Sequence, residues 1–328
     1  MDKTILSVVV CTFNRRLLLE EALESVMQQK TTFPFEIIVG DDCSSDDTRS
    51  FLESYREKHP NKVVLSFMAE NSGIGANWAT ALLKAQGRYV AFLDDDDFWT
   101  DNRRMQIMVD YLEQHPEVDL LYTNGYNWNE KTGRKEMIIF PRPEELDCQK
   151  IWEGSQASFQ LNMVMVRRKT LEECINLNDY IAYQFPIQDW NTDLFLVKNA
   201  RCAYMDMPTC VIRYSAGSLS HPKTYEQVIK KYEKEKTMYN YIADHFPDDP
   251  VIKRDDAGFD CYVNHILTTV AFQRGDYRKA KHYSKLSGGS SFRDKCTRTW
   301  LSFHLYRLLR FIKRCESIYK ISLFRVRF

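Results

Sequence analysis

The sequence predicts an α/β protein, a mostly parallel sheet flanked by helices, with a helical extension towards the C-terminal end. Three observations carry this. Strand-like and helix-like runs alternate from residue 4 to residue 123. The strand-like runs are apolar on both faces, as strands covered by helices on either side must be. Polar clusters, Cys11–Asn14, Asp41–Asp42 and Asp94–Asp97, stand at the ends of three of these runs.

In chain order, TILSVVVC (4–11) is the first strand, and RRLLLEEALESVMQQ carries Leu18, Leu19, Ala22, Leu23, Val26 and Met27 at helical spacing. FEIIVG (35–40) is the second strand. In the DDCSSDDT that follows, Ser44 or Ser45 caps the next helix, with Asp46 and Asp47 in its first turn, where the helix dipole favours acidic groups. KVVLSF (62–67) is the third strand, and NSGIGANWATALLKAQG is a loop and helix stopped by Gly87 in a left-handed conformation. RYVAFL (88–93) is the fourth strand and runs into four aspartates. Thr100 or Asp101 then caps a helix with Met105, Met108, Val109 and Leu112 on its apolar face, and VDLLYT (118–123) is the fifth strand. Right-handed crossovers join such strands, and ligands bind beyond their carboxyl ends. The three polar clusters therefore converge in space.

Beyond residue 124 the alternation lapses. NWNEKTGRKEMIIF reads as a hairpin turning at Thr132-Gly133, and NMVMVRR as a strand. A loop-rich stretch runs to about 222, broken by an amphipathic helix after Asp189-Trp190 that carries Leu194, Phe195 and Val197. Residues 224–328 are helical in pattern, with AFQRGDYRKAKHY as a helical hairpin.

Composition narrows the classes. The 328 residues hold 45 Lys+Arg and 45 Asp+Glu, a balance that gives no sign of a nucleic-acid partner. Nine scattered cysteines without a C-x-x-C pair fit free thiols in a reducing compartment. TILSVVVCTF is followed by Asn14, Arg15 and Arg16 instead of a small-residue cleavage site, and no apolar run approaches the ~18 residues of a membrane span. These features predict a cytoplasmic protein. Residues 293–328 carry ten Lys/Arg against Asp294 and Glu316, interleaved with Leu, Ile, Phe and Tyr. Such a tail suits peripheral contact with the anionic inner face of a membrane.

The aspartates hold the chemistry. In an extended chain Asp94 and Asp96 face one way and Asp95 and Asp97 the other. A D-x-D pair suits a hard divalent cation, Mg2+ or Mn2+, which takes its remaining ligands from water and phosphate oxygens and so implies a diphosphate. Asp97 and Asp101 read as caps. At Asp41-Asp42, one carboxylate can accept a uracil imide N–H or a ribose hydroxyl, and the other can close an Asx-turn. GIGANW has Trp78 in place of a third glycine and does not close the first βα unit, which argues against a nicotinamide cofactor.

SVVVCTFNR, EIIVGDDCSSDDT, ENSGIGANW and GRYVAFLDDDDFWTDNRRMQ, in that order, resemble the blocks of a family 2 glycosyltransferase of the GT-A fold, closely over 5–115 and loosely over 160–220. The resemblance implies an inverting hexosyl- or N-acetylhexosaminyl-transferase with a nucleotide-diphosphate sugar donor, UDP-linked, and a divalent metal. Its acceptor would be a glycan or lipid-linked hydroxyl in surface polysaccharide or glycan synthesis. It divides the chain into a domain over 1–222, with a nucleotide-binding half 1–123 and an acceptor half 124–222, and a helical region 223–328. Carried over, Cys11, Thr12, Phe13 and Asn14 with the Asp42 side chain hold the base. Asp94 and Asp95 lie at the ribose and diphosphate, which requires the strand to bend, and Asp96 is the principal metal ligand, with Asp94 beside it. Cys11 stands where the family usually has proline, and Asp95 replaces a commoner Ser, Gly or Ala.

The same resemblance makes IQDWNTDLFLVKNARCAYMD the base-bearing element. Asp189 is then the general base, and Trp190 can stack on an acceptor sugar. Asp193 is a competing base, read as a helix-surface residue. Arg213 neutralises phosphate; Ser215 stands where the family often has a histidine, with His221 nearby. Two rivals remain. A nucleotidyl- or phosphotransferase also uses D-x-D pairs, but its first strand would not end in CTFN. A nucleotide-sugar-binding protein without catalysis is the other.

Overall fold

The computed structural model describes residues 4–153, 155–214 and 224–288. Its first half follows the alternation: β1 (Leu6–Thr12), α1 (Arg16–Met27), β2 (Phe35–Asp41), α2 (Thr48–Lys58), β3 (Val63–Phe67), α3 (Ile74–Leu82), β4 (Tyr89–Asp94), β5 (Phe98–Trp99) and α4 (Arg104–Gln114). Then come β6 (Leu120–Asn129), β7 (Arg134–Ile138), α5 (Cys148–Trp152), β8 (Val164–Arg167), α6 (Arg168–Cys174), α7 (Leu177–Tyr183), α8 (Asp189–Asn199) and β9 (Cys202–Tyr214). Helices α9 (Tyr225–His245), α10 (Asp256–Arg274) and α11 (Tyr277–Leu286) complete the described chain.

One sheet takes all nine strands in the order β3-β2-β1-β4-β8-β6-β9-β5, with β7 paired to β6. The strands from β3 to β4 are parallel, and every residue of β1 and β2 is buried, which is why both runs lack alternation. Burial of each Val, Ile or Leu there contributes about 1.5–3 kcal/mol. The register sets Cys11 between Gly40 and Asp94, and Thr12 opposite Asp41. The three polar clusters thus leave the sheet along one row.

The second half departs from expectation. The VDLLYT strand does not lie beside β4, because β8 inserts antiparallel between β4 and β6. The sheet is therefore mixed beyond β4. The expected hairpin exists as β6–β7, with Gly133 at φ +68°. The stretch before 222 is less loop-rich than its composition suggests. It holds α6 and α7, of seven residues each and too short to show a period, and the thirteen-residue β9.

Glycines and caps also differ. Gly87 does not end a helix, since α3 stops at Leu82. A Cβ on Gly87 would lie 2.5 Å from the Ser7 amide nitrogen, so the residue allows close packing on β1. Asp46 and Asp47 precede α2 and are not in its first turn. Asp101 accepts from the Arg103 N–H (2.8 Å) in the turn before α4.

Two compact units divide the described residues. The larger contains the sheet and residues 237–253, so the C-terminal half of α9 counts with it. The smaller packs Tyr225, Val228 and Tyr232 on Leu267, Val270, Ala271, Phe272 and Ala280, and its α10–α11 hairpin turns at Gly275 (φ +76°). The boundary expected near 222, Ser215, His221 and the basic tail 293–328 all lie outside the described residues. Among the described residues seven cysteines are free thiols, and no helix is long and apolar enough to cross a membrane.

Candidate active site

The aspartate run does not continue the strand. β4 ends at Asp94, and the Asp97 N–H donates back to the Asp94 carbonyl (3.2 Å), closing a turn. The alternation expected for DDDD is replaced by different pairs. Asn162 Nδ2 donates to Asp94 Oδ2 (3.0 Å) and Asp97 Oδ2 (2.6 Å), while its Oδ1 accepts from the Asp94 N–H (3.0 Å). On the other side Arg15 Nη1 reaches Asp95 Oδ1 (3.1 Å) and Asp96 Oδ2 (2.8 Å). Asp94 thus faces with Asp97, and Asp95 with Asp96, because a turn and not a pleat orients them.

Asp97 is not a helix cap. It is buried, and its Oδ1 accepts from the Arg213 N–H (2.8 Å), which ties the turn to β9. Arg213 Nε donates to the Asp96 carbonyl (2.9 Å), and its guanidinium pairs with Glu21 and Glu130 and lies over the rings of Phe98 and Trp128. The charge expected to meet phosphate is thereby matched by two carboxylates, and Arg213 braces the turn.

The β1 and β2 ends are joined as closely. Asn14 is left-handed (φ +54°). Its N–H donates to Ser44 Oγ (2.8 Å), and its Oδ1 accepts from the N–H groups of Ser45 (2.7 Å) and Asp46 (3.2 Å). Asp41 closes the Asx-turn with the Ser44 N–H (3.3 Å). Asp42 Oδ1 accepts from the Ser72 N–H (2.8 Å) and Oδ2 from the Gly73 N–H (2.9 Å), so both oxygens already hold the loop before α3. Gly73 there has φ +90°, a conformation that explains the first glycine of GIG. Cys11 and Thr12 are buried, and Phe13 stands 41% exposed beside them.

The second glycine of GIG has a different reason. A Cβ on Gly75 would lie 2.4 Å from the Phe185 carbonyl oxygen, four residues before Asp189. Gly75→Ala should destabilise the fold by about 1–3 kcal/mol, as overpacking does. A urea titration can check this.

Asp189 is the first residue of α8. Burial, and then the charge of Asp94, push its carboxyl up to about 7. The charge of Asp94 thus bears on Asp189. Burial followed by Asp96 raises Asp94 to about 6; burial also raises Asp95 to about 6 against the pull of Arg15. Asp193 is buried, contrary to its surface reading. Its Oδ2 accepts from Ser158 Oγ (2.7 Å), because α8 buries every residue from Asn191 to Leu196. Trp190 donates through Nε1 to the Ile151 carbonyl (3.1 Å) and stacks on Trp152, which stacks on Tyr239. Its ring packs the core side of α8.

Residues 7–175 match the family model described as Glycosyl transferase family 2. The chain belongs to that family. It is 33% identical over 216 residues to an uncharacterised protein of Mycobacterium tuberculosis, a match covering 66% of this chain and 60% of that relative's length. It is 41% identical over 101 residues to the putative teichuronic acid biosynthesis glycosyltransferase TuaG of Bacillus subtilis, covering 31% of this chain and 39% of TuaG. Among solved structures it resembles TarS of Staphylococcus aureus in complex with UDP-GlcNAc, with a TM-score of 0.56 and 20% identity over 95% of this chain and 92% of that one. The fold is that of the GT-A glycosyltransferases.

For a family 2 chain the donor chemistry of the turn fits a hard cation in one specific way. Among the described residues no group of three or more His, Cys, Asp or Glu could hold a metal ion. Mg2+ and Mn2+ nevertheless bind through one or two carboxylates plus phosphate and water, and the turn offers carboxylates without a closed cage. Asn162 and Arg15 are the site residues that sequence reasoning missed. Arg15 had a signal, since it follows CTFN directly and four aspartates need a cation. Asn162 had a weaker one, a lone amide inside the apolar run LNMVMV.

Proposed function

We propose that the protein is an inverting glycosyltransferase that moves a sugar from a nucleotide-diphosphate sugar to an acceptor hydroxyl in surface polysaccharide or glycan synthesis. The observation that carries this reading is the aspartate turn at the carboxyl end of β4, joined by Asp189 at the start of α8, whose carboxyl is pushed up by burial and the charge of Asp94. A UDP-linked donor is supported by the UDP-GlcNAc complex of TarS, and the pathway class by the name of TuaG.

In this reading the Asp189 carboxylate takes the proton of the acceptor hydroxyl. The acceptor oxygen then forms its bond to the anomeric carbon on the face opposite the diphosphate, and the breaking C–O electron pair leaves with the diphosphate. Asp96 and Asp94 would hold a divalent cation, whose contribution when bound is to neutralise the leaving charge. The Cys11–Asn14 backbone and Asp42 border the base, and Asp95 lies towards the ribose and diphosphate. Acceptor contacts come from the half 124–222, and a peripheral membrane contact through the basic residues 293–328 would suit a lipid-linked acceptor.

A panel of UDP-, GDP- and CMP-sugars with and without Mn2+ tests this. One donor should raise stability by ~2–4 kcal/mol at saturation only with the metal, and should be slowly hydrolysed without acceptor. Release of pyrophosphate from a sugar phosphate and a nucleoside triphosphate would instead establish a nucleotidyltransferase.

A further inference from the structure

Arg15 occupies the place where the cation of the proposed reaction would act. One guanidinium nitrogen bridges Asp95 Oδ1 (3.1 Å) and Asp96 Oδ2 (2.8 Å). The Asp96 side chain is the more open of the two, at 20% exposed against 6%. The neighbouring arginines are engaged elsewhere. Arg16 pairs with Glu20 (3.1 Å) and lies over Phe51, and Arg213 pairs with Glu21 and Glu130.

We propose that Arg15 is a built-in counter-cation of the aspartate turn, which gives up Asp96 to a divalent metal only when a nucleoside diphosphate is present to receive its guanidinium. This deepens the reading under Proposed function and rests on it. A metal ion and a guanidinium repel each other when both sit on one carboxylate. Metal arriving alone therefore weakens the Arg15–Asp96 pair and leaves the guanidinium with Asp95 only. A diphosphate offers the guanidinium two oxygens that can take a pair of its N–H donors, so exchange becomes favourable when metal and nucleotide arrive together. The two ligands are then positively coupled, and linkage requires the coupling to be reciprocal. Arg15 is a positioning residue in this scheme, and Asp96 keeps its guanidinium partner until donor is at hand.

The test is Mn2+ binding, counted by the loss of the free-ion electron paramagnetic resonance signal, with and without saturating UDP. Wild type should bind Mn2+ alone weakly and about tenfold or more tightly with UDP, within the usual range of such couplings. Arg15→Gln should bind Mn2+ alone about five- to tenfold more tightly than wild type, and its gain from UDP should shrink. Arg15→Lys keeps the charge but not the planar fork; it should fall between the two, and it serves if the glutamine variant does not fold. Variants that bind Mn2+ alone no more tightly than wild type overturn the role of Arg15. A wild type that binds no Mn2+ with or without UDP overturns the underlying reading instead.

Discussion

Asp189→Asn should reduce sugar transfer by about 10²–10⁴-fold, the range a positioned general base supplies, while leaving Mn2+-dependent donor binding within about twofold of wild type. The substitution keeps the shape of the side chain and removes the charge that burial and Asp94 disfavour, so the fold should tolerate it. The pH dependence gives a second reading of the same group. Only the ionised carboxylate can accept a proton, and the raised carboxyl of Asp189 holds its own proton until about pH 7. Turnover in wild type should therefore rise through about pH 7 and level off above it. Asp94 is one cause of the shift, so saturating Mn2+ should move the inflexion to lower pH. In the asparagine variant the inflexion should vanish along with the activity.

Asp96→Ala should also abolish transfer, and for a different reason. Charge stabilisation of a leaving diphosphate is worth several kcal/mol, so turnover should fall by roughly 10³-fold. Unlike Asp189→Asn, it should remove the dependence of donor binding on Mn2+. Adding a chelator to wild type should reproduce the binding defect of Asp96→Ala and not that of Asp189→Asn. Arg15 would keep Asp95 as its partner in this variant, so a thermal melt should show the turn and the fold intact.

The parts of this site that were legible in the sequence are those set by short-range pattern. Four mainly apolar runs mark β1 to β4, and the row of polar residues at their ends follows from parallel register alone. What escaped was set by long-range packing. Antiparallel β8 sits between β4 and β6, and nothing local to VDLLYT or NMVMVRR says which strand each will join. The direction of the four aspartates was misread for the same reason. Period-2 alternation holds only while the strand lasts, and it stops at Asp94, where Asn162 and Arg15 arrive from distant segments to sort the carboxylates. The resemblance alone assigns phosphate to Arg213, and its pairs with Glu21 and Glu130, far away in sequence, could not be read from its own segment. Asp193 shows the limit of reading amphipathicity from one helix, since α8 is enclosed over most of its circumference. The two glycines of GIG were visible as a motif, but their separate purposes, a left-handed turn and room for a carbonyl, emerge only in three dimensions.

The division of labour between Asp189 and Asp96 is tested most directly by calorimetric titration of donor, with Mn2+ present, into wild type, Asp189→Asn and Asp96→Ala, each also assayed for transfer. The Asp189→Asn isotherm should overlay that of wild type while transfer is lost, and Asp96→Ala should lose both. An Asp189→Asn enzyme that turns over at near the wild-type rate, or an Asp96→Ala enzyme whose donor binding still depends on Mn2+ as wild type does, would contradict it.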